Sequence, residues 1–209
     1  MTFRATLVTD GTSDVVLVSI LEWLMRQVTP EEFEIRWADP RSFRGRPHSL
    51  AEKLAAALRE YPCQLLFVHR DAEKQPPQDR YAEIGASNRT GRPHVCVVPV
   101  RMQEAWLLHD EAALREAAGR PSGTEDLGLP ADRWDRLADP KKTLHQALRV
   151  ANGATGRRAK RFKPAVAAHR LANLITDWTP LRTLAAFAQL ERDTRTALEK
   201  LGLPVAATT

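Results

Sequence analysis

The chain has 209 residues, 43% of them hydrophobic and 27% charged, with a formal net charge of +5 and two cysteines. That suffices to bury one domain of roughly 150 residues plus an appendage, and it excludes global disorder, collagen-like repetition and a disulfide-stapled miniature fold. No apolar run reaches the ~20 residues of a spanning helix, and Met1-Thr2-Phe3-Arg4 leads straight into a strand-like run, so a soluble, cytoplasmic chain with no signal peptide and no membrane partner is expected.

In chain order, residues 3–8 read as a strand, Asp10-Gly11-Thr12-Ser13 as a turn, and residues 14–28 as a helix with an apolar stripe through Val15, Val18, Leu21 and Met25. Residues 33–37 alternate like a second strand. The loop over 40–48 follows, with Arg41, Arg44 and Arg46 and no acid, and then an amphipathic helix over 49–61. Leu65-Leu66-Phe67-Val68 is a fully apolar strand ending at His69-Arg70-Asp71. After a Pro-Pro break, residues 79–87 suit a helix and residues 95–100 a fourth strand. Beyond it the spacing predicts a helix over 104–118, a polar connector over 121–139, a helix over 140–150, a mobile basic stretch over 151–161, two closing helices over 164–175 and 181–201, and a frayed tail over 204–209.

Strands alternating with helices, two of them almost wholly apolar, predict an α/β fold: a largely parallel, Rossmann-like sheet flanked by helices over residues 1–108, with a helical extension over 109–209. Ligands of such sheets bind at the C-terminal ends of the strands. Asp10 and Asp71 fall at that end of the first and third strands, Glu104 just beyond the fourth, and Asp14 and Glu73 close by. Like charges gathered in this way raise one another's pKa values and destabilise the fold unless a cation neutralises them, and oxygen donors suit Mg2+ or Mn2+. Singly, each acid reads equally well as a cap, an ion-pair partner or a solvated loop residue.

Charge placement adds a second feature. Residues 141–170 hold nine Lys or Arg and no acid, whereas the other 179 residues sum to −4. A concentrated positive field of this kind attracts a phosphate backbone. Lys142, Arg157, Arg158, Lys160, Arg161 and Lys163 are its candidate contacts, and Lys141, Arg70 and Arg101 are candidates nearer the acids, with Arg70 and Arg101 equally suited to pairing with them. His69 is a further base able to grip a substrate, but it reads first as a packed or hydrogen-bonded strand residue. Cys63 and Cys96 read as buried free thiols, and the five tryptophans as core or interface anchors. Gly-x-Gly-x-x-Gly, the phosphate-loop signature and Gly-x-Ser-x-Gly are absent, so any ATPase is expected on a separate chain.

Leu7-Val8-Thr9-Asp10-Gly11-Thr12-Ser13-Asp14 resembles the first motif of TOPRIM domains, and Leu65 to Glu73 resembles the second, a strand ending in Asp-x-Asp. Glu104-Ala105-Trp106-Leu107-Leu108, with Asp139-Pro140-Lys141-Lys142, is similar to the TOPRIM-related family numbered 4276 among domains of unknown function. The resemblance implies a divalent-metal-dependent nuclease of the OLD type, working in a prokaryotic anti-phage defence system. Asp10, Asp71 and Glu73 would hold one ion, Asp14 and Glu104 would help place a second, and Lys141 would assist catalysis. It implies nucleic acid as partner, DNA ranked ahead of RNA, with a separate ATPase subunit or a homodimer as further partners. The pattern is departed from twice, since Asp10 stands for Glu and Glu73 for Asp. The alternative is an inactive TOPRIM-like protein that senses nucleic acid or a nucleotide and binds an ATPase-containing complex. A nucleotidyl- or phosphotransferase using the same ions ranks third.

Overall fold

The computed structural model describes residues 2–207. Four strands, β1 (Phe3–Val8), β2 (Phe33–Ala38), β3 (Leu65–His69) and β4 (His94–Val97), form one sheet in the order β2-β1-β3-β4 with every pair parallel. The two strands with the longest buried runs, β1 and β3, occupy the centre, where both faces are covered. From β1 the chain moves outward to β2 and returns to the other side for β3. The gap between the ends of β1 and β3 is therefore the switch point at which sheets of this type form a crevice.

Period-two alternation divides the strand residues between two cores. Ala5, Leu7, Leu65, Phe67, Val95 and Val97 face α1 (Leu17–Val28) and the helices that follow residue 109: α4 (Glu111–Ala117), α5 (Pro140–Asn152), α7 (Pro164–Leu174) and α8 (Ala185–Lys200). Val8, Leu66 and Val68 face α2 (Leu50–Glu60) and α3 (Pro77–Ser87). The C-terminal extension thus shares one apolar cluster with the sheet, centred on Trp106, Trp178 and Phe187.

Several elements differ from the sequence expectation. The helix expected over 104–118 is divided into a 3-10 segment, Gln103–Leu107, and α4, because the Asp110 carboxylate accepts from the Ala113 N–H at 2.9 Å and starts a new helix as its N-cap. β4 ends at Val97, just before the Val98-Pro99 pair, where proline can no longer donate to a ladder. The stretch expected to be mobile contains a short helix, α6 (Gly156–Arg161), with no buried residue. The expected frayed tail is anchored through residue 206. Thr29 Oγ1 donates to the Pro204 carbonyl, Ala206 N–H to the Val28 carbonyl and Arg195 to the Ala206 carbonyl, while Thr208 and Thr209 lie outside the described residues.

Candidate functional site

The C-terminal ends of β1 and β3 open on a cleft of about 290 Å³ lined by Asp10, Gly11, Asp14, His69, Arg70, Asp71, Glu73 and Arg80. A larger groove of about 550 Å³ runs beside β4 and α8 and contains none of the strand-end carboxylates.

Strand register decides what Asp10 meets. Val8 pairs with Val68, so two residues further along, Asp10 comes level with Arg70 and not with Asp71. Arg70 Nη1 donates to Asp10 Oδ2 at 2.6 Å, and Lys53 Nζ, reaching over from α2, donates to Oδ1 at 2.8 Å. Burial pushes the Asp10 pKa up, but the Lys53 hydrogen bond and the charges of Arg70 and Lys53 together outweigh it and hold the carboxyl below its usual range. Arg70 also pairs with Glu83 at 2.9 Å. It is therefore occupied by two acids instead of standing free for phosphate.

Asp14 turns the other way. It sits in the 3-10 turn Thr12–Val16 that precedes α1, where its Oδ2 accepts from Gly11 N–H at 2.9 Å and its Oδ1 from Ser13 Oγ at 2.9 Å. The Gly11 N–H to Asp14 bond is the back-reaching half of a capping box, the other half being impossible because glycine has no side chain, and it gives Asp14 a structural role whatever else it does. Gln103 Nε2 adds a third bond to Oδ1 at 2.8 Å, so Asp14 is 6% exposed and joined to the segment that carries Glu104.

Asp71 is placed by hydrogen bonds that continue the β3–β4 ladder beyond both strands. Arg70 N–H donates to the Val97 carbonyl, Ala72 N–H to Pro99 and Glu73 N–H to Arg101. The two exit loops therefore run side by side, and Gln103 N–H donates to Asp71 Oδ1 at 3.0 Å. His69 is almost fully buried, with Nδ1 on the Val97 carbonyl at 3.0 Å and Nε2 lying 3.6 Å from Asp71 and 3.9 Å from Asp14. The Asp71 pKa is pushed up to about 6, first by burial and then by the charges of Glu104 and Asp14, with His69 and the Gln103 N–H opposing. Glu104 is buried, and its Oε1 meets Lys141 Nζ at 3.1 Å.

The remaining expected residues lie further out. Glu73 stands in the left-handed region at φ 54°, 65% exposed, its nearest cation Arg80 at 3.9 Å. The chain reverses there, so the two-residue spacing from Asp71 does not place both side chains together. Arg101, also left-handed at φ 62°, lies in the loop beyond β4. Lys142 is exposed, its backbone capped by Asp139. Arg157, Arg158, Lys160, Arg161 and Lys163 are all exposed on α6 and the turn after it. α6 connects α5 and α7, which pack on the two 3-10 segments bearing Glu104 and Asp14, so the basic strip is tethered at both ends to elements of the site.

The structure therefore brings together Asp14, Asp71 and Glu104, with His69 and Gln103 between them, and separates Asp10 and Glu73 from that set. The donor chemistry suits a hard divalent cation: three carboxylates, and a buried Gln103 Oε1 with no hydrogen-bond partner. Among the described residues, no three His, Cys, Asp or Glu side chains surround a single point closely enough to hold an ion without moving. Sequence reasoning missed Lys53, Gln103 and Arg80, and it ranked His69 as a packed or hydrogen-bonded strand residue ahead of a substrate-gripping base. Comparison with known proteins finds no match: no family model, no curated protein and no solved structure is significantly similar to this chain.

Proposed function

We propose that the cleft is a divalent-metal-dependent nuclease site that hydrolyses phosphodiester bonds. The observation that supports this best is the unneutralised Asp71. Burial first, and then the charges of Glu104 and Asp14, raise its pKa to about 6, at the crevice of a parallel sheet where ligands of this fold class bind. Asp14, Asp71 and Glu104 would hold Mg2+ or Mn2+, and the unpartnered Gln103 Oε1 lies within the same cluster. Such an ion, when bound, supplies a water of lowered pKa and neutralises charge on the transferring phosphate.

The chain's own residues orient and grip. His69, with its Nδ1 fixed on the Val97 carbonyl, presents Nε2 to both Asp71 and Asp14, at 3.6 and 3.9 Å. Lys141 reaches from the extension to Glu104 and brings a cation to the mouth of the site. Arg101 beyond β4 and the exposed bases of α6 offer backbone phosphate contacts, a grip that depends on salt and not on sequence. The motif resemblance supplies the biological setting, a prokaryotic defence system with a separate ATPase chain.

A second reading has its own observation. Asp10 carries two cations in the place where the motif resemblance calls for a metal ligand, which favours an inactive protein that senses nucleic acid or a nucleotide. Cleavage of labelled DNA and RNA decides between them. The nuclease reading expects metal-dependent product that disappears in Asp71→Asn and persists in Asp79→Asn, whose side chain is exposed on the first turn of α3. Binding with the substrate left intact at every metal concentration selects the sensor.

A further inference from the structure

The loop between β2 and α2 leaves the sheet at the same rim as the carboxylate cleft, since β2 runs parallel to β1 and β3. Its two ends are held. Phe43 is buried with Val8, Ala38 and Leu54 in the second core, and Ser49 caps α2 by accepting from the Glu52 N–H while Glu52 accepts from the His48 N–H. Between these anchors Arg44, Gly45 and Arg46 project into solvent. Arg41 is paired with Asp39 at 2.7 Å, and Glu60 of α2 accepts from the Arg44 backbone N–H at 3.1 Å, but the guanidiniums of Arg44 and Arg46 form no ion pair among the described residues, and no acid lies between residues 40 and 48. One turn into α2, Lys53 reaches Asp10 in the cleft, so the loop and the cleft are joined by a single rigid element.

Two exposed guanidiniums flank Gly45 on a loop held at both ends, neither engaged by a carboxylate, and their planar forks match phosphate oxygens. We infer that the β2–α2 loop is a second phosphate-binding element and that the cleft's substrate is a polynucleotide, not a mononucleotide. The inference rests on the phosphodiester reading for what is cut, though not for what is bound. β1 lies between β2 and β3, so the loop starts two strand spacings, roughly 10 Å, from the strand that carries Asp71. Arg101 stands beyond β4, on the opposite side of the cleft. A backbone crossing the rim meets Arg44 and Arg46 on one flank and Arg101 on the other, whereas a mononucleotide seated at Asp71 reaches neither flank in full. Phe43 is buried and so unavailable for stacking on bases, which leaves Arg44 and Arg46 to grip backbone.

The test is equilibrium binding of short fluorescein-labelled single-stranded DNA, duplex DNA and single-stranded RNA to the full chain in EDTA, across a salt series. The double variant Arg44→Gln/Arg46→Gln is compared with the wild type. The expected result is a salt dependence shallower by about 2 units of slope for at least one of the three nucleic acids, with the unfolding midpoint unchanged. The nucleic acid showing the larger change identifies the backbone recognised. Equal slopes for all three, or a wild-type chain that fails to bind any of them at low salt, overturn the inference. A loss of AMP binding as large as the loss for the polymers overturns the claim that the loop acts only on a spanning strand. Because cleavage is not read here, failure of metal-dependent hydrolysis in the wild type would remove the nuclease reading and leave this result standing.

Discussion

Asp10 and Asp71 line the same cleft, each just past the end of a central parallel strand, and they are in opposite electrostatic states. Asp10 is held by Arg70 and Lys53, which outweigh its burial and keep it below its usual pKa, whereas Asp71 is buried beside Glu104 and Asp14 without a Lys or Arg partner among the described residues and rises to about 6. Position at a strand end therefore does not decide a carboxylate's role. What decides it is whether register and helix packing bring a cation to it. The Asp10 carboxylate is paired with two cations, and Asp71 and Asp14 have no Lys or Arg partner among the described residues, the one cation of that corner, Lys141, being on Glu104.

The contrast is sharpest on removing each charge. Asp71→Asn is expected to lower metal-dependent cleavage by about 100-fold or more while making the metal-free protein more stable at neutral pH. Asp10→Asn should do the reverse to stability, lowering it by about 1 kcal/mol because Arg70 and Lys53 lose a shared partner, as read from denaturant midpoints. If both variants move stability in the same direction, the two corners are not distinct.

Acidity separates them next. The folded pKa of Asp71 lies above the unfolded value of 3.8, so its contribution is intact below about pH 4 and is lost as pH rises through about 6. With the side chain 29% exposed, the metal-free protein should lose about 2 kcal/mol from this group between pH 4 and 7. Asp10 has a folded pKa below 3.8, so its contribution is present above that value and is lost as pH falls through the depressed pKa. Denaturant titrations of wild type and Asp71→Asn across this range should differ in slope between pH 4 and 7 and run parallel above it.

Divalent cation gives a smaller, sharper comparison. Mg2+ or Mn2+ at tenfold its dissociation constant should stabilise the wild type by about 1.4 kcal/mol at pH 7.5, and far less at pH 5, where Asp71 is protonated. Asp10→Asn should keep this response and Asp71→Asn should lose it. Smallest in its effect on the fold is neutralisation of Arg157, Arg158, Lys160 and Arg161. All four are exposed, so stability should stay within about 0.5 kcal/mol, while the salt dependence of nucleic-acid binding flattens by about 3–4 units of slope.

The parallel sheet was legible in the sequence because the segments of β3 and β4 are almost wholly apolar, as covered strands are, and because the ends of β1 and β3 carry acids. Asp14, Asp71 and Glu104 were legible as candidates for the same reason. Which acids would be neutralised was not, because Lys53 meets Asp10 only through the packing of α2, and Arg70 meets it only through the Val8–Val68 register. Glu73 failed to join Asp71 because the spacing argument assumed extended backbone, and the chain turns left-handed at that residue. Gln103 carried no signal of its own. Its side chain links Asp14 to the Glu104 segment, a contact between residues 89 positions apart that no local pattern announces.

The most direct measurement is the anomalous scattering of a crystal soaked in manganese at neutral pH. The account predicts a peak among Asp71, Asp14 and Glu104, with Asp10 still paired to Arg70. A peak seated on Asp10 and Glu73, or no peak in the cleft while the carboxylates stay as they are, would contradict it.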